Sequence, residues 1–345
     1  MSTVLYILLA IFIFGVLILV HELGHYITAR IFDVHIEEFS IGMGPKLFSR
    51  VSKKTKIKYS LRALPIGGYV SMVGEDEDSD DERAFCKKAV WKRIIIIAAG
   101  SIMNLLIGVI LTFTVAVSSR SIGNTTVAEF TENAVSCEYG LQVGDEVISV
   151  DGVRVHTANQ LVYEISRVTD GPVAIDVIRD GEALTLPSVR FGTTTEEGIV
   201  FGERDFFIRS VEKSFSNIVK HTFYNSGLAI KTVWQSLIGL LTGRYSLNAI
   251  SGPVGVTQTI SNVAKTGTVN LLYLVSVIAM NLGVFNLLPI PALDGGKLLF
   301  LLFELIFRRP VDRKIEGYIH AVGLVILLML IALVSIKDIV KLFGG

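Results

Sequence analysis

The stretch Val4-Leu-Tyr-Ile-Leu-Leu-Ala-Ile-Phe-Ile-Phe-Gly-Val-Leu-Ile-Leu-Val20 runs without interruption into His21-Glu22-Leu23-Gly24-His25. The apolar part has the length and character of a bilayer span. It lacks the basic leading region and small-residue cleavage site of a secretory signal. If the helix continues through the polar cluster towards Arg30, His21 and His25 lie one turn apart on a shared face, with Glu22 beside them. Ionisable groups at the end of a membrane helix are costly unless satisfied, so this cluster is a functional site by expectation.

The rest of the chain agrees with a membrane setting. Of its 345 residues, 51% are hydrophobic, and the mean hydropathy is +0.57, too apolar for an ordinary soluble chain. Further apolar runs occupy Ile94 to Val117, about Leu271 to Leu293, and about Ala321 to Ile336. Each is near the roughly 20 residues that a bilayer core demands, which predicts about four transmembrane helices. The formal charge of +0 gives no general field for nucleic acid. Cys86 and Cys137 are too far apart in the chain to suggest a disulfide framework or a cysteine metal knuckle.

Flanking charge orients the spans. Lys46, Arg50, Lys53, Lys54, Lys56, Lys58, Arg62, Lys87, Lys88, Lys92 and Arg93 lie between the first two, and Lys297, Arg308, Arg309, Arg313 and Lys314 between the last two. Both loops are therefore expected in the cytoplasm. Residues 120–270, with both termini, are then expected outside. Within them, Tyr139-Gly-Leu-Gln-Val-Gly-Asp-Glu-Val-Ile-Ser-Val-Asp-Gly152 resembles the core of a PDZ domain. Asp151-Gly152, Asp170-Gly171 and Asp180-Gly181 punctuate short alternating runs as turns. Lys213, Lys220, His221 and Lys231 interrupt Val211 to Leu241, which predicts an amphipathic helix on the outer membrane face rather than a fifth span. The expected division is a first transmembrane helix over 1–30, a cytoplasmic loop with a membrane-associated β region over 31–92, and a second helix over 93–119. A PDZ-like domain follows over 120–205 and an amphipathic region over 206–268. A third helix over 269–296, a cytoplasmic loop over 297–316, and a fourth helix with its tail over 317–345 complete it. The fold class is thus a polytopic α-helical membrane protein with a cytoplasmic-side β-hairpin region and one extracytoplasmic α+β PDZ domain.

The His-Glu-x-x-His spacing points to zinc. Two histidines and a carboxylate hold Zn²⁺ and leave a fourth position for water. The ion lowers that water's pKa towards about 7 and polarises a carbonyl, and Glu22 is placed to take the proton. The third ligand is expected to be Asp294, in Asn286-Leu-Leu-Pro289-Ile-Pro291-Ala-Leu-Asp294-Gly295-Gly296. An interfacial Asp at a helix terminus is the alternative. The two prolines cannot continue an undisturbed helix, and broken backbone at membrane depth must be buried or line a cavity. His21 lies about 16 residues beyond Leu5, roughly 24 Å along a helix, near the inner edge of the bilayer core. The third span runs the same way and delivers Asp294 to that level. His35, His156, His221 and His320 have no partner at ligand spacing, and Glu75 to Glu82 reads as a solvated loop.

These motifs together resemble the site-2 protease family of intramembrane metalloproteases. The likeness is greatest to its bacterial PDZ-containing branch, to which the regulator of sigma-E protease belongs. It covers most of the chain. Phe39-Ser-Ile-Gly-Met-Gly-Pro-Lys46 and Tyr59-Ser-Leu-Arg-Ala-Leu-Pro65-Ile-Gly-Gly-Tyr69-Val70 resemble the family's membrane-associated hairpin, and Ser251-Gly-Pro253-Val-Gly255 its segment before the third span. The resemblance implies zinc on His21, His25 and Asp294, with Glu22 as general base. As substrate-binding positions it points to Asn281, Asn286, Pro289 and Pro291. Implied partners are the bilayer and transmembrane proteins already shortened by another protease, such as anti-sigma factors or remnant signal peptides, and no nucleic acid. Bacterial members often carry two PDZ domains, whereas this chain has room for one.

Some readings stay open. Asn281 and Asn286 equally suit hydrogen bonds between helices, and Ile57 to Val70 suits either a packed hairpin or an edge for an extended substrate. Two other functions compete. A silent scaffold presenting its PDZ domain has no need of Glu22. A midplane transporter would spread polar residues over several spans, whereas here they converge at one level. The charge asymmetry has a direct test. Cysteines introduced at Lys54 and Arg309 should resist an impermeant reagent on intact cells, and one at Asp151 should react; labelling at position 54 would overturn the orientation.

Overall fold

Apolar runs of bilayer length form helices because every backbone N–H and C=O must find its partner within the segment. Such helices open the chain in the computed structural model, which describes residues 3–169, 171–196, 199–243 and 251–343. In chain order the elements are α1 (Thr3–Ile31), β1 (Ile36–Val51), β2 (Lys58–Met72), α2 (Val90–Ser118), β3 (Ile122–Phe130), β4 (Glu146–Val150) and β5 (Val153–Arg154). Then come α3 (Ala158–Ser166), β6 (Val173–Arg179), β7 (Glu182–Val189), β8 (Gly192–Glu196), β9 (Ile199–Glu203), β10 (Phe206–Val211), α4 (Phe215–Leu241), α5 (Pro253–Thr266), α6 (Thr268–Leu287), α7 (Asp294–Phe307) and α8 (Arg313–Phe343). Among the described residues, four helices are long and apolar enough to cross a membrane: Val4–Ile31, Val90–Ser118, Thr268–Leu287 and Arg313–Lys341. The chain divides into one unit of Met1–Leu111 with Ile250–Gly345 and a second of Thr112–Ala249.

In the first unit the spans approach closely through small residues, as membrane helices do. A Cβ on Gly24 of α1 would lie 2.4 Å from the Ala99 carbonyl oxygen of α2, and one on Gly108 of α2 would lie 2.5 Å from Met280 Cγ of α6. Ala10, Ile13 and Leu17 of α1 pack with Ile260 of α5 and Ile278 and Ala279 of α6. The carboxylate of Asp338 in α8 accepts 2.8 Å bonds from the N–H groups of Gly252 and Gly255, satisfying the first turn of α5.

Three expectations change here. The hairpin is folded twice on itself: Phe39 pairs with both Val70 and Tyr59, while Tyr59 also pairs with Arg50. Bends at Gly42 (φ 83°), Gly44 (φ 81°) and Gly67 (φ 88°) allow two long strands to act as four short ones. The expected loop over 297–316 holds helix α7 instead. Its run Leu298-Leu-Phe-Leu-Leu-Phe is too short to register as a span, and it buries Leu301 while leaving Leu299 and Phe303 exposed. The third span also ends early, at Leu287, because Pro289 and Pro291 offer no N–H to continue it.

The second unit is built on a sheet of order β10-β3-β4-β6-β7, with β5 paired to β4 and a separate β8–β9 hairpin. Val127, Leu141, Val147, Leu161, Ile165, Ile175, Val177 and Phe206 form its core. Asp151-Gly152 and Asp180-Gly181 both have positive φ at the two positions, the geometry of tight hairpin turns. Asp170 of the third expected turn lies outside the described residues. The buried carboxylate of Asp145 accepts two bonds from Arg179, at 2.7 and 2.8 Å, and one from the Gln142 N–H. The expected amphipathic segment is one long helix here: α4 packs on α3 through Tyr163–Gln235, Lys231–Glu164 and Thr157–Asn225 contacts. The remainder of 206–268 supplies β10 and, to the first unit, α5.

The β1–β2 sheet has an acid-sensitive fastening. Burial works against ionisation of Glu38, but Ser60, Arg62, Lys58 and Tyr69 hold its carboxyl down to about 2, against an ordinary 4.5. A depressed carboxylate stabilises the fold above its ordinary pKa, and that stabilisation fades as pH falls towards the folded value. A fluorophore on Thr55→Cys in the β1–β2 turn should therefore lose anisotropy as pH falls from about 4.5 towards 2. Glu38→Gln should abolish the transition in that window. An unchanged transition in the variant would show that Glu38 is not the fastening.

Candidate metal centre

Helix α1 brings His21 and His25 to one face, both more than nine-tenths buried. Their rings meet edge to face, 4.8 Å apart at the centroids. The two Nε2 atoms lie 3.2 Å apart. Asp294 Oδ2 is 3.1 Å from the first and 3.3 Å from the second. The group is the one set of three or more His, Cys, Asp or Glu ligand atoms gathered this tightly among the described residues.

Local structure explains the convergence. On α2, Ile96, Gly100 and Asn104 follow at steps of four and form one stripe. The carbonyl of Ile96 lies 2.8 Å from His25 Nδ1 and accepts its proton, which leaves the Nε2 lone pair facing Asp294. Gly100 provides a notch, since a Cβ there would lie 2.3 Å from His25 Nε2 and 2.8 Å from His21 Cε1. After α6 the backbone turns sharply, with Ala292 at φ 74°. The Ala292 N–H donates to His320 Nδ1 of α8 at 3.0 Å, which holds the turn. Asp294 then opens α7, where the free N–H groups of a first turn favour a carboxylate. Gly295 and Gly296 let that turn sit against the break: Cβ atoms there would lie 1.9 Å from Leu288 O and 2.7 Å from Ile290 O.

The donor set suits a tetrahedral metal ion. Bonds of about 2.0–2.1 Å at tetrahedral angles put ligand atoms about 3.3 Å apart, close to the separations above. Asp294 Oδ2 is buried without a hydrogen-bond partner, although two imidazole nitrogens adjoin it. Burial works against its ionisation, and the adjoining His21 and His25 nevertheless hold the carboxyl below its ordinary value. Glu22 lies against β2, where a Cβ on Gly68 would be 3.5 Å from its Cγ. It lines a cavity of about 360 Å³ with His25, Tyr69, Val70, Asp294 and Lys297.

The other expected residues divide. Asn286 Nδ2 lies 3.5 Å from His21 Nδ1. Asn281 is five residues earlier, about 140° around the helix, and is not brought to the imidazoles. Pro289 is exposed in the break, while Pro291 packs so closely on Gly323 of α8 that a Cβ there would lie 2.3 Å from its own. The acidic loop is bound rather than free: Lys297 pairs with Glu75 at 2.7 Å and Asp76 at 3.3 Å. Against burial, both hold the Lys297 ammonium above its ordinary range. Sequence reasoning missed Gly100, Asn104 and His320. An asparagine inside an apolar span, one helical stripe from a glycine, was the available signal for the first two.

The description "Peptidase family M50" matches residues 9–330. The chain belongs to this family, that of the site-2 proteases. A Clostridium acetobutylicum protein named as a zinc metalloprotease is 36% identical over 343 residues, covering 97% of each chain. The regulator of sigma-W protease RasP of Bacillus subtilis is 29% identical over 415 residues, covering 96% of this chain and 98% of its own. The zinc metalloprotease RasP of Bacillus licheniformis is 30% identical over 419 residues, with the same coverage.

The glycine notch has a sharp consequence for this M50 peptidase. Gly100→Ala should leave a membrane-inserted protein whose imidazoles are pushed apart, with metal affinity lowered at least about tenfold, as for disrupted metal shells generally. Metal content of the purified variant, by elemental analysis after dialysis, measures this. Full occupancy would show that the notch does not set the ligand geometry.

Proposed function

We propose that this chain is a zinc metalloprotease of the cell membrane that hydrolyses peptide bonds in or near transmembrane segments of single-pass proteins. One observation carries the reading. Ligand atoms from α1 and α7, distant in sequence, close a buried triangle of 3.1–3.3 Å, and the Glu22 carboxylate lines the adjoining cavity. The names of the relatives support zinc as the ion.

His21, His25 and Asp294 are the proposed ligands. Bound there, zinc would supply a polarised carbonyl and an acidified water. Glu22 is the proposed general base: it takes the water's proton and passes it to the leaving amine. That carboxylate lines the cavity beside Val70 of β2. The same strand, β2, offers backbone against which an extended substrate could pair, because a helix must unwind before its peptide bond is accessible. Asn281, Asn286, Pro289 and Pro291 are the proposed substrate positions, with the nearness of Asn286 to His21 and the exposure of Pro289 in its favour. RasP of Bacillus subtilis bears a regulatory name, which favours substrates of the anti-sigma-factor kind, shortened beforehand by another protease.

The second unit is read as one extracytoplasmic PDZ-like domain that sorts substrates, and the metal site as lying near the cytoplasmic face. A silent scaffold finds no support in this geometry, since it has no use for a carboxylate beside three converging ligands. Glu22→Gln keeps size and cannot accept the proton. It should retain zinc and substrate binding while turnover falls about 10²–10⁴-fold or more. Asp294→Ala should instead lose the metal. Near-normal turnover in Glu22→Gln, followed with a single-pass substrate in detergent, would remove Glu22 from the mechanism.

A further inference from the structure

If His21 binds zinc through Nε2, as proposed above, its neutral ring must carry its one proton on Nδ1. That nitrogen then needs an acceptor. Two amides approach it, Asn104 of α2 and Asn286 of α6, each with Nδ2 at 3.5 Å. Both present a donor to a donor in this arrangement, and only one acceptor is required.

The surroundings distinguish them. Asn104 is fully buried, at 0% exposure. Its Oδ1 is enclosed without a hydrogen-bond partner. Leaving a buried amide oxygen unmatched is unfavourable. Rotating the Asn104 amide by half a turn exchanges its oxygen and nitrogen and leaves its outline unchanged. That single rotation turns a donor facing a donor into a matched pair, with Asn104 Oδ1 accepting from His21 Nδ1, and moves the amide N–H₂ into the place the oxygen leaves. Asn286 is half-buried on the helix leading into the break, and no such orphan demands its rotation.

We propose that Asn104 is the positioning residue of His21: its Oδ1 accepts the Nδ1 proton and fixes the ring with Nε2 towards the metal. Helix α2 thereby orients both ligand imidazoles from one stripe. The Ile96 carbonyl serves His25, Asn104 serves His21 two turns later, and Gly100 between them gives the rings room. Asn286 is left free to face the substrate, which resolves the two roles open for it in the sequence.

Outer partners of this kind typically alter metal affinity by roughly 10–100-fold. Zinc affinity of the purified full-length protein, titrated against a competing chelator, should fall by about that factor in Asn104→Leu. Asn104→Asp, which still offers an acceptor of the same reach, should restore it to within about threefold. Asn286→Ala should keep zinc affinity and raise the KM for a single-pass substrate. Wild-type affinity in a folded Asn104→Leu protein, failure of Asn104→Asp to restore it, or an equal loss in Asn286→Ala would each overturn the assignment. A measurement on the unmutated protein guards against a variant that fails to fold. In zinc-loaded enzyme with ¹⁵N-labelled histidine, the His21 resonances should show a protonated Nδ1 and a metal-bound Nε2; the reverse would overturn the proposal. His21→Ala separates the two levels, because retention of tight zinc there would refute the ligand set itself, whatever Asn104 does.

Discussion

Two imidazole nitrogens and a carboxylate oxygen, all buried and all within 3.3 Å of one another, present lone pairs to a common point. Burying a carboxylate in apolar surroundings costs several kcal/mol even after relaxation. Three acceptors facing one another make the cost worse unless protons or a cation lie between them. The rest of the first unit is organised around that requirement. Metal affinity in such a site is also folding free energy, since the ligands come together only in the folded chain. Here α1 and α7, at opposite ends of the sequence, are joined at the site where that energy is delivered.

Close approach of backbones makes the junction possible. Gly24 lets α1 touch α2, Gly100 admits the imidazoles, and Gly295 and Gly296 seat α7 on the end of α6. The break between α6 and α7 exposes peptide groups at a depth where water is scarce, so they need partners. His320 accepts the Ala292 N–H, and the tight packing of Pro291 on Gly323 closes the other side. His320, 28 residues beyond Ala292 and on a different helix, thus holds the backbone that aims Asp294.

Much of this was legible in the residues. Apolar length marked the spans, the His21–His25 spacing marked the site, and the prolines before Asp294 marked the broken helix. Those signals are local, set by a period or a forbidden hydrogen bond. What escaped was set by contacts between distant segments. Gly100 and Asn104 have no meaning until α1 lies against α2. The second folding of the β1–β2 hairpin depends on which strand pairs with which, and alternation alone leaves that open. Helix α7 was passed over because its apolar run is short for a bilayer and it gains stability from packing on the break. The acidic stretch from Glu75 looked solvated because Lys297, its partner, lies far along the chain.

That lysine completes the electrostatics of the site. Glu22, Glu75, Asp76 and Asp294 all line the cavity, and Lys297 is the cation among them. With every group ionised, the lining carries four negative charges against one positive. The Asp76 side chain is exposed to solvent, but Glu22, Glu75 and Asp294 still outnumber Lys297, so the lining carries an excess of negative charge. A divalent ion held by His21, His25 and Asp294 would offset that excess. A proton passed from water to Glu22 inside the cavity would leave a hydroxide behind and the total charge unchanged, so the compensation rests on the divalent ion and Lys297. Lys297 stands one turn beyond Asp294 on α7, so the helix that brings Asp294 to the histidines also supplies the compensating charge.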